Sequence, residues 1–117
     1  MIEILIEQKS NGLLRVSASG HAIDKNGNVD RIVCAAASAL AFTLGQCVLI
    51  ASAEAQLKNK PQVLLKDGTA MIQAYPTEED YNEVLHTFWV YMVGVCTLER
   101  SYPQYVKVKT NIKPIVA

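Results

Sequence analysis

The sequence IVCAAASALAFTLGQCVLIASA, residues 32–53, contains no charged residue and decides the fold. It is long enough to span a bilayer. However, polar residues such as Ser38, Thr43 and Gln46 interrupt it, and much of its apolar content is alanine. Segments with the periodicity of strands flank it on both sides. We therefore predict a helix buried in a small core, covered on more than one side, and no association with a membrane.

The segment before this helix is predicted to form a β-hairpin over residues 2–20. Isoleucine stands at every second position at the start of the chain, which is the period of a half-buried strand. Asn11-Gly12 follows, a pair that tolerates the positive φ angles of a tight turn. Residues 22–31 have the Asn, Gly and Asp content of a loop. Asp30, at the end of this loop, is placed to cap the helix.

The segment after the helix repeats the pattern of a hairpin followed by a helix. The hairpin turns at Asp67-Gly68. Thr77 is predicted to be the N-cap of a second helix that runs to about Arg100, and Val106 begins a closing strand. The order is ββαββαβ in a single domain over residues 1–117. This order predicts a two-layer α+β fold, with a mainly antiparallel sheet and both long helices on one face.

Composition and charge exclude several classes of protein. The 117 residues fit one domain, and half of them are hydrophobic, which excludes a disordered chain. Eleven basic residues balance eleven acidic ones, which argues against direct binding of nucleic acid. The three cysteines include no close pair and form no disulfide framework. Glu3 stands where a signal peptide would need basic residues, so we expect a cytoplasmic protein.

Two side chains in this order have the chemistry of a cysteine hydrolase. His21 ends the second strand, and Cys34 lies in the first turn of the long helix. A thiol near unpaired N–H groups at a helix start is favoured as the thiolate, and an imidazole can transfer its proton. The first-turn N–H groups could bind a developing oxyanion. The alternative is a small buried thiol and an ordinary surface histidine.

The strings around these residues resemble a known signature. GHA at 20–22 and IVCAAASAL at 32–40 closely resemble the signature of the ribosomal-processing cysteine protease family, Prp. The likeness continues through the first hairpin, Leu98-Glu99 and YPQYV at 102–106. The resemblance implies a small bacterial cytosolic endopeptidase, homodimeric, without metal or cofactor. It implies removal of the N-terminal extension of a large-subunit ribosomal protein, the precursor being its partner.

The family's roles can be carried over residue by residue. The resemblance implies that Cys34 is the nucleophile and that His21 is the general base and acid. It gives Gly20 the role of keeping the backbone before the histidine free of a side chain. Ser38, four residues after Cys34 on the same helix face, is placed either to hydrogen-bond near the site or to bond its own helix backbone.

The chain departs from the family's pattern just before the cysteine. The family usually has Asp-Ile-Val-Cys, whereas Arg31 stands here in the place of the aspartate and Asp30 lies one residue earlier. We expect the loop to shift so that Asp30 faces the site and orients the histidine. The alternative is that Asp30 serves only as the N-cap of the helix. Arg31 would then favour the thiolate through its charge.

Two other functions compete with this interpretation. One is a catalytically silent module that binds a peptide or a ribosome-assembly partner. The other is a protease that acts on a phage structural protein. A zinc site built from Cys34, His21, His86 and Cys96 has no compact ligand spacing, so no metal site is predicted.

Overall fold

The computed structural model describes residues 1–113, which form five strands and two helices. In chain order these are β1 Ile2–Gln8, β2 Leu14–Ser19, α1 Arg31–Ala53, β3 Gln62–Lys66, β4 Thr69–Ala74, α2 Tyr81–Ser101 and β5 Val106–Thr110. The predicted order ββαββαβ and the α+β class are confirmed. Residues 114–117 of the predicted single domain lie outside the described residues.

The strands form one sheet in the order β3-β4-β2-β1-β5. Three of its four pairings are antiparallel, and β5 pairs with β1 in parallel. The two hairpins supply antiparallel pairs, whereas β5 follows α2, which carries the chain back across the sheet. The sheet is therefore mainly antiparallel, as predicted. The pairing of β2 with β4, which the sequence did not reveal, places the β3–β4 turn beside the end of β2.

Both helices cover the same face of the sheet. Alternate strand residues are buried on that face because side chains of a strand point to opposite sides in turn. The buried strand residues are Ile2, Ile4, Ile6, Leu14, Val16, Ala70, Ile72, Ala74 and Val106. The intervening residues of these strands face away from the helices. The core lies between the layers, with Phe88 of α2 completely buried in it.

Glycines allow α1 to approach its two neighbours closely. A Cβ on Gly45 would lie 3.1 Å from Cγ1 of Val63, so the helix passes directly over β3. A Cβ on Gly94 of α2 would lie 3.0 Å from Cδ2 of Leu40, so the two helices meet at that point. These contacts fix α1 against both β3 and α2.

The sheet and α2 both cover α1, so more than one side of the helix is covered as predicted, whereas its outward side is exposed. The helix has the length and hydropathy of a membrane span by composition, with a mean hydropathy of 2.0. One side packs on the sheet and α2 as part of the domain core. The other side is exposed within this single chain, with Phe42 at 54% and Leu49 at 45% exposure. Thus, among the described residues, α1 is covered on its core side and not all round.

The predicted start of α2 is wrong by three residues. Thr77 was expected to cap the helix, but α2 begins at Tyr81 with Asp80 as its N-cap residue. The Thr77 hydroxyl accepts a hydrogen bond from the Asp80 amide at 3.2 Å and donates one to the Asp80 carboxylate at 3.1 Å. Thr77 therefore closes the turn that precedes the helix instead of capping the helix itself.

Replacing the buried aromatic ring of α2 should destabilise the domain strongly. We expect Phe88→Ala to lower the free energy of unfolding by about 3–5 kcal/mol, because it removes apolar burial and leaves a cavity. Glu79→Ala, at an exposed turn position, should change it by less than about 0.5 kcal/mol. Denaturant unfolding followed by circular dichroism measures both. Equal and small effects of the two substitutions on the free energy of unfolding would contradict the position of Phe88 in the core.

Candidate active site

A cavity of about 90 Å³ lies where the end of β2, the start of α1 and the β3–β4 turn meet. Four of the five residues predicted for the site line it, namely Gly20, His21, Cys34 and Ser38. The fifth, Asp30, is not among the lining residues. The structure thus brings together the strand end and the helix start, as the element order suggested.

The Cys34 thiol is held against the backbone beside the histidine. Its Sγ accepts a hydrogen bond from the Ala22 amide at 3.4 Å. Because Ala22 directly follows His21, this contact joins the strand end to the first turn of α1. The thiol is half-buried and forms no disulfide. A backbone N–H directed at the sulfur stabilises negative charge there.

The His21 ring lies against the β3–β4 turn. A Cβ on Gly68 would be 2.7 Å from Nε2 of His21, so the ring occupies the space that a side chain at position 68 would need. Gly68 also has a φ of +75°, which favours glycine. The Gly20 amide donates to the Gly68 carbonyl at 3.0 Å. The turn therefore positions the histidine. Sequence reasoning identified this turn but missed its role.

Gly20 is the residue at which the chain leaves β2. Its φ is +98°, in the left-handed region that side chains rarely adopt. A Cβ there would collide with the carbonyl oxygen of Met1, the residue before β1. The family resemblance implied that no side chain is tolerated before the histidine. The close approach of Met1 to Gly20 is the physical reason.

The Asp30 carboxylate caps α1. Its Oδ1 accepts hydrogen bonds from the amides of Ile32 at 3.0 Å and Val33 at 3.1 Å. The Asp30 carbonyl accepts from the Cys34 amide at 3.2 Å. Within residues 1–113 no hydrogen bond joins Asp30 to His21. The geometry favours the N-cap alternative, and the expected shift of Asp30 into the site is not seen.

The cap bonds also bear on where a developing oxyanion could bind. The sequence left open that the first-turn amides of α1 bind it. Asp30 already occupies the amides of Ile32 and Val33, and the Cys34 amide bonds to the Asp30 carbonyl. An oxyanion at this site would therefore compete with Asp30 for the amides of Ile32, Val33 and Cys34, or bind other donors.

The loop between the two candidate residues is a small closed hairpin. The Asp24 carboxylate accepts the amides of Asn26 at 2.8 Å and Asn28 at 2.9 Å. The backbone N–H of Asn28 lowers the pKa of Asp24, because it stabilises the ionised carboxyl group. The Asp30 amide donates to the Ala22 carbonyl at 2.8 Å and closes the loop. This closure holds the strand end and the helix start together.

Much of the remaining lining is apolar, although Lys66 and Asp67 at the β3–β4 turn also line the cavity. Ala37, Ala41 and Phe42 of α1 face Leu65 and Ala70 of the second hairpin. The apolar part of this lining suits the apolar side chains of a peptide.

Ser38 adds a hydroxyl to this apolar lining. Thr43, on the same helix, donates its hydroxyl to the Ala39 carbonyl at 2.7 Å. No such bond occupies the Ser38 hydroxyl in the part of the chain that the structure describes. Of the two alternatives for Ser38, the backbone-bonded one is therefore not observed.

The other thiols and the second histidine lie apart from the cavity. Burial, and then the charge of Glu99, raise the pKa of the Cys96 thiol. His86 stacks on Trp89 with ring centroids 5.6 Å apart, on a different surface. In residues 1–113, no three His, Cys, Asp or Glu side chains are grouped to hold a metal ion.

A half-buried thiol at a helix start and a histidine line the same cavity, and these are the side chains whose chemistry a cysteine protease uses. The family model for cysteine protease Prp matches residues 1–107. The chain therefore belongs to the Prp family of cysteine proteases. Among curated proteins, none matches the chain.

Solved structures share this fold. The ribosomal processing protease Prp of S. aureus with a covalently linked product peptide superposes with a TM-score of 0.67 at 23% identity, covering 95% of this chain and 100% of that one. The same protease with a substrate peptide gives 0.67 at 20% identity, with coverage of 95% and 100%. SMU.848 from Streptococcus mutans gives 0.64 at 26% identity, covering 94% of this chain and 93% of that one.

A neutral substitution at the N-cap separates capping from catalysis. We expect Asp30→Asn to leave turnover and stability nearly unchanged, because asparagine also accepts the Ile32 and Val33 amides. Asp30→Ala, which removes the cap, should cost about 0.5–2 kcal/mol of stability. Thermal unfolding and peptide cleavage measure the two effects. A tenfold loss of turnover in Asp30→Asn with unchanged stability would show that the charge serves catalysis.

Proposed function

We propose that the chain is an endopeptidase that removes the N-terminal extension of a large-subunit ribosomal protein in the cytoplasm. Cys34 is the nucleophile and His21 the general base and acid. Membership of the Prp family supports the chemistry. The processing of a ribosomal protein is supported by the name of the S. aureus protease that shares the fold.

The observation that carries the proposal is the hydrogen bond from the Ala22 amide to Cys34 Sγ, 3.4 Å long. This bond brings the sulfur next to the backbone that bears His21. In the first half of the reaction, the thiolate attacks the carbonyl carbon of the scissile peptide bond. His21, carrying the thiol's proton, then donates it to the leaving amine nitrogen. The products of this half are a thioester on Cys34 and a peptide with a free N-terminus.

The second half of the reaction regenerates the thiol. Neutral His21 accepts a proton from a water molecule, which attacks the thioester carbonyl carbon. The carbon–sulfur bond breaks, a carboxylic acid leaves, and the proton returns from the imidazole to the sulfur. The apolar lining from Ala37 to Phe42 holds the side chains that flank the scissile bond. The unoccupied Ser38 hydroxyl is placed to bond the backbone of that peptide.

Mass spectrometry of substrate N-termini identifies the substrate class. The protein is incubated separately with extended ribosomal protein precursors and with phage structural proteins. We expect a single new N-terminus on a ribosomal precursor. Cleavage of the phage proteins alone would replace the proposed substrate but leave the protease chemistry standing.

Substitutions of the two proposed catalytic residues test the dyad. We expect Cys34→Ser to lower turnover by several orders of magnitude with little change in folding, because serine is nearly isosteric. His21→Ala should cost nearly as much, since residues that act as a unit have non-additive effects. Cys47→Ser, a half-buried thiol outside the cavity, is the matched control and should retain activity.

The outcomes of this comparison are decisive. Cleavage by Cys34→Ser at a near-normal rate would remove the nucleophile from the proposal. Full activity in His21→Ala would leave Cys34 without its proposed base. Peptide binding without cleavage in the unmodified protein would favour the silent binding module.

We further propose that two copies associate as a homodimer through the outward side of α1. Exposed residues recur there with alternating spacings of four and three: Ala35, Ala39, Phe42, Gln46, Leu49 and Ala53. This is the spacing of a helix–helix seam, and the small alanines permit close approach of a second helix. The stripe carries no charge that would select a different partner. A symmetric dimer buries the same stripe on both copies.

A charge placed in this stripe should dissociate the dimer. We expect Leu49→Glu to reduce the molar mass in sedimentation equilibrium from two chains to one, because the carboxylate would be buried against its own copy. Lys107→Glu, on the sheet face without helices, is the control and should stay dimeric. A monomeric unmodified protein, or a dimeric Leu49→Glu protein, would contradict this interface.

A further inference from the structure

The cavity opens onto a free edge of the sheet. β3 is the outermost strand on its side, and β4 is its sole partner in the part of the chain that the structure describes. Leu65 and Lys66, at the end of β3, line the cavity together with Cys34. An unpaired strand edge therefore begins inside the candidate active site.

The direction of the unpaired backbone groups on β3 follows from one hydrogen bond. In an antiparallel strand, alternate residues direct their N–H and C=O groups to opposite neighbours. The Gly20 amide donates to the Gly68 carbonyl, which fixes residue 68 as bonded toward β2. By the same alternation, the backbone N–H and C=O groups of residues 70, 72 and 74 point toward β2, and those of residues 69, 71 and 73 point toward β3. The β3 partners of this second set are Lys66, Leu64 and Gln62.

The backbone N–H and C=O groups of the two remaining residues of β3 therefore point to the free edge. These are Val63 and Leu65, whose N–H and C=O groups have no strand beside them among residues 1–113. Their side chains point to the helix layer, where a Cβ on Gly45 would meet both of them at 3.1 and 3.3 Å. Phe42, which also belongs to the proposed dimer stripe, borders the same cavity. An extended peptide at this edge would thus run beneath α1.

We propose that the substrate binds as an added strand along the free edge of β3, paired with the backbone of Leu65 and then Val63. This inference rests on the proposed function and specifies its binding mode. Backbone pairing supplies affinity that does not depend on side chains, while the apolar cavity reads alternate side chains. The occupant is the substrate and not a second copy, because Leu65 and Lys66 at this edge line the same cavity as Cys34. The edge also offers only two residues with outward backbone groups, which is short compared with the usual strand of about five or six residues.

A scan of N-methylated substrates tests this pairing with the unmodified protein. Peptides spanning the mapped cleavage site carry one N-methyl group at each amide in turn. A strand that pairs at Leu65 and Val63 directs alternate amides to β3, so kcat/KM should fall about tenfold at two amides separated by one tolerant amide. Uniform tolerance, or loss at consecutive amides without alternation, would overturn the proposal.

A matched pair of variants tests the same bond from the side of the protein. Leu65→Pro and Leu65→Ala both remove the leucine side chain, but only proline removes the outward N–H. Proline is tolerated on an edge strand where its nitrogen faces away from the ladder. We expect kcat/KM of Leu65→Pro to be at least about fivefold below that of Leu65→Ala, mainly through KM. Equal kcat/KM values for the two variants would contradict the pairing. If Leu65→Pro does not fold, the N-methyl scan alone tests the proposal.

Binding measurements separate this proposal from the proposed function. Fluorescence anisotropy with Cys34→Ala reports the Kd of each N-methylated peptide in the absence of chemistry. The alternating pattern in Kd, without cleavage by the unmodified protein, would support the edge and refute the protease. Cleavage without an alternating pattern in Kd would refute binding at the β3 edge and leave the proposed protease function standing. A change in molar mass of Leu65→Pro would assign the edge to a second copy and overturn the proposal.

Discussion

The hydrogen bond between the Ala22 amide and Cys34 Sγ is the constraint on which the site depends. It joins the end of β2 to the start of α1, two elements separated by a loop that is closed by its own hydrogen bonds. For the bond to form, the chain must turn sharply at Gly20, where a side chain would collide with Met1. It also requires the Asp30 cap, which begins α1 at the position that brings its fourth residue to the amide. The end of β2, the turn at Gly20 and the Asp30 cap together determine the position of Cys34 Sγ.

The one-sided sheet determines which surfaces are available for binding. The sheet is open, and its edge strand β3, whose sole partner among the described residues is β4, lies beside the cavity. The same arrangement leaves the outer side of α1 exposed and free of charge. The two surfaces differ in chemistry, since the strand edge offers unpaired backbone groups and the helix offers apolar side chains. The first suits an extended peptide, and the second suits an identical helix.

Patterns local in the sequence predicted most of the fold correctly. The alternating isoleucines, the two turn pairs and the uncharged helix gave the element order, because each depends on neighbours within a few residues. Thr77 was misplaced because a threonine that closes a turn and one that caps a helix have the same local signature. The candidate site residues His21 and Cys34 were predicted from local sequence strings, and the structure places both on one cavity. Gly68 was missed because its contact with His21 depends on the pairing of β2 with β4, which no local pattern encodes.

The role of Cys34 can be tested most directly by locating a covalent adduct. A peptide with the mapped cleavage sequence, ending in a vinyl sulfone at the scissile position, is incubated with the protein. Mass spectrometry of the digested protein then identifies the modified thiol. The account predicts an adduct on Cys34 alone, which excess substrate prevents, with Cys47 and Cys96 unmodified. An adduct on either of those two thiols, or labelling of Cys34 that substrate does not reduce, would contradict it.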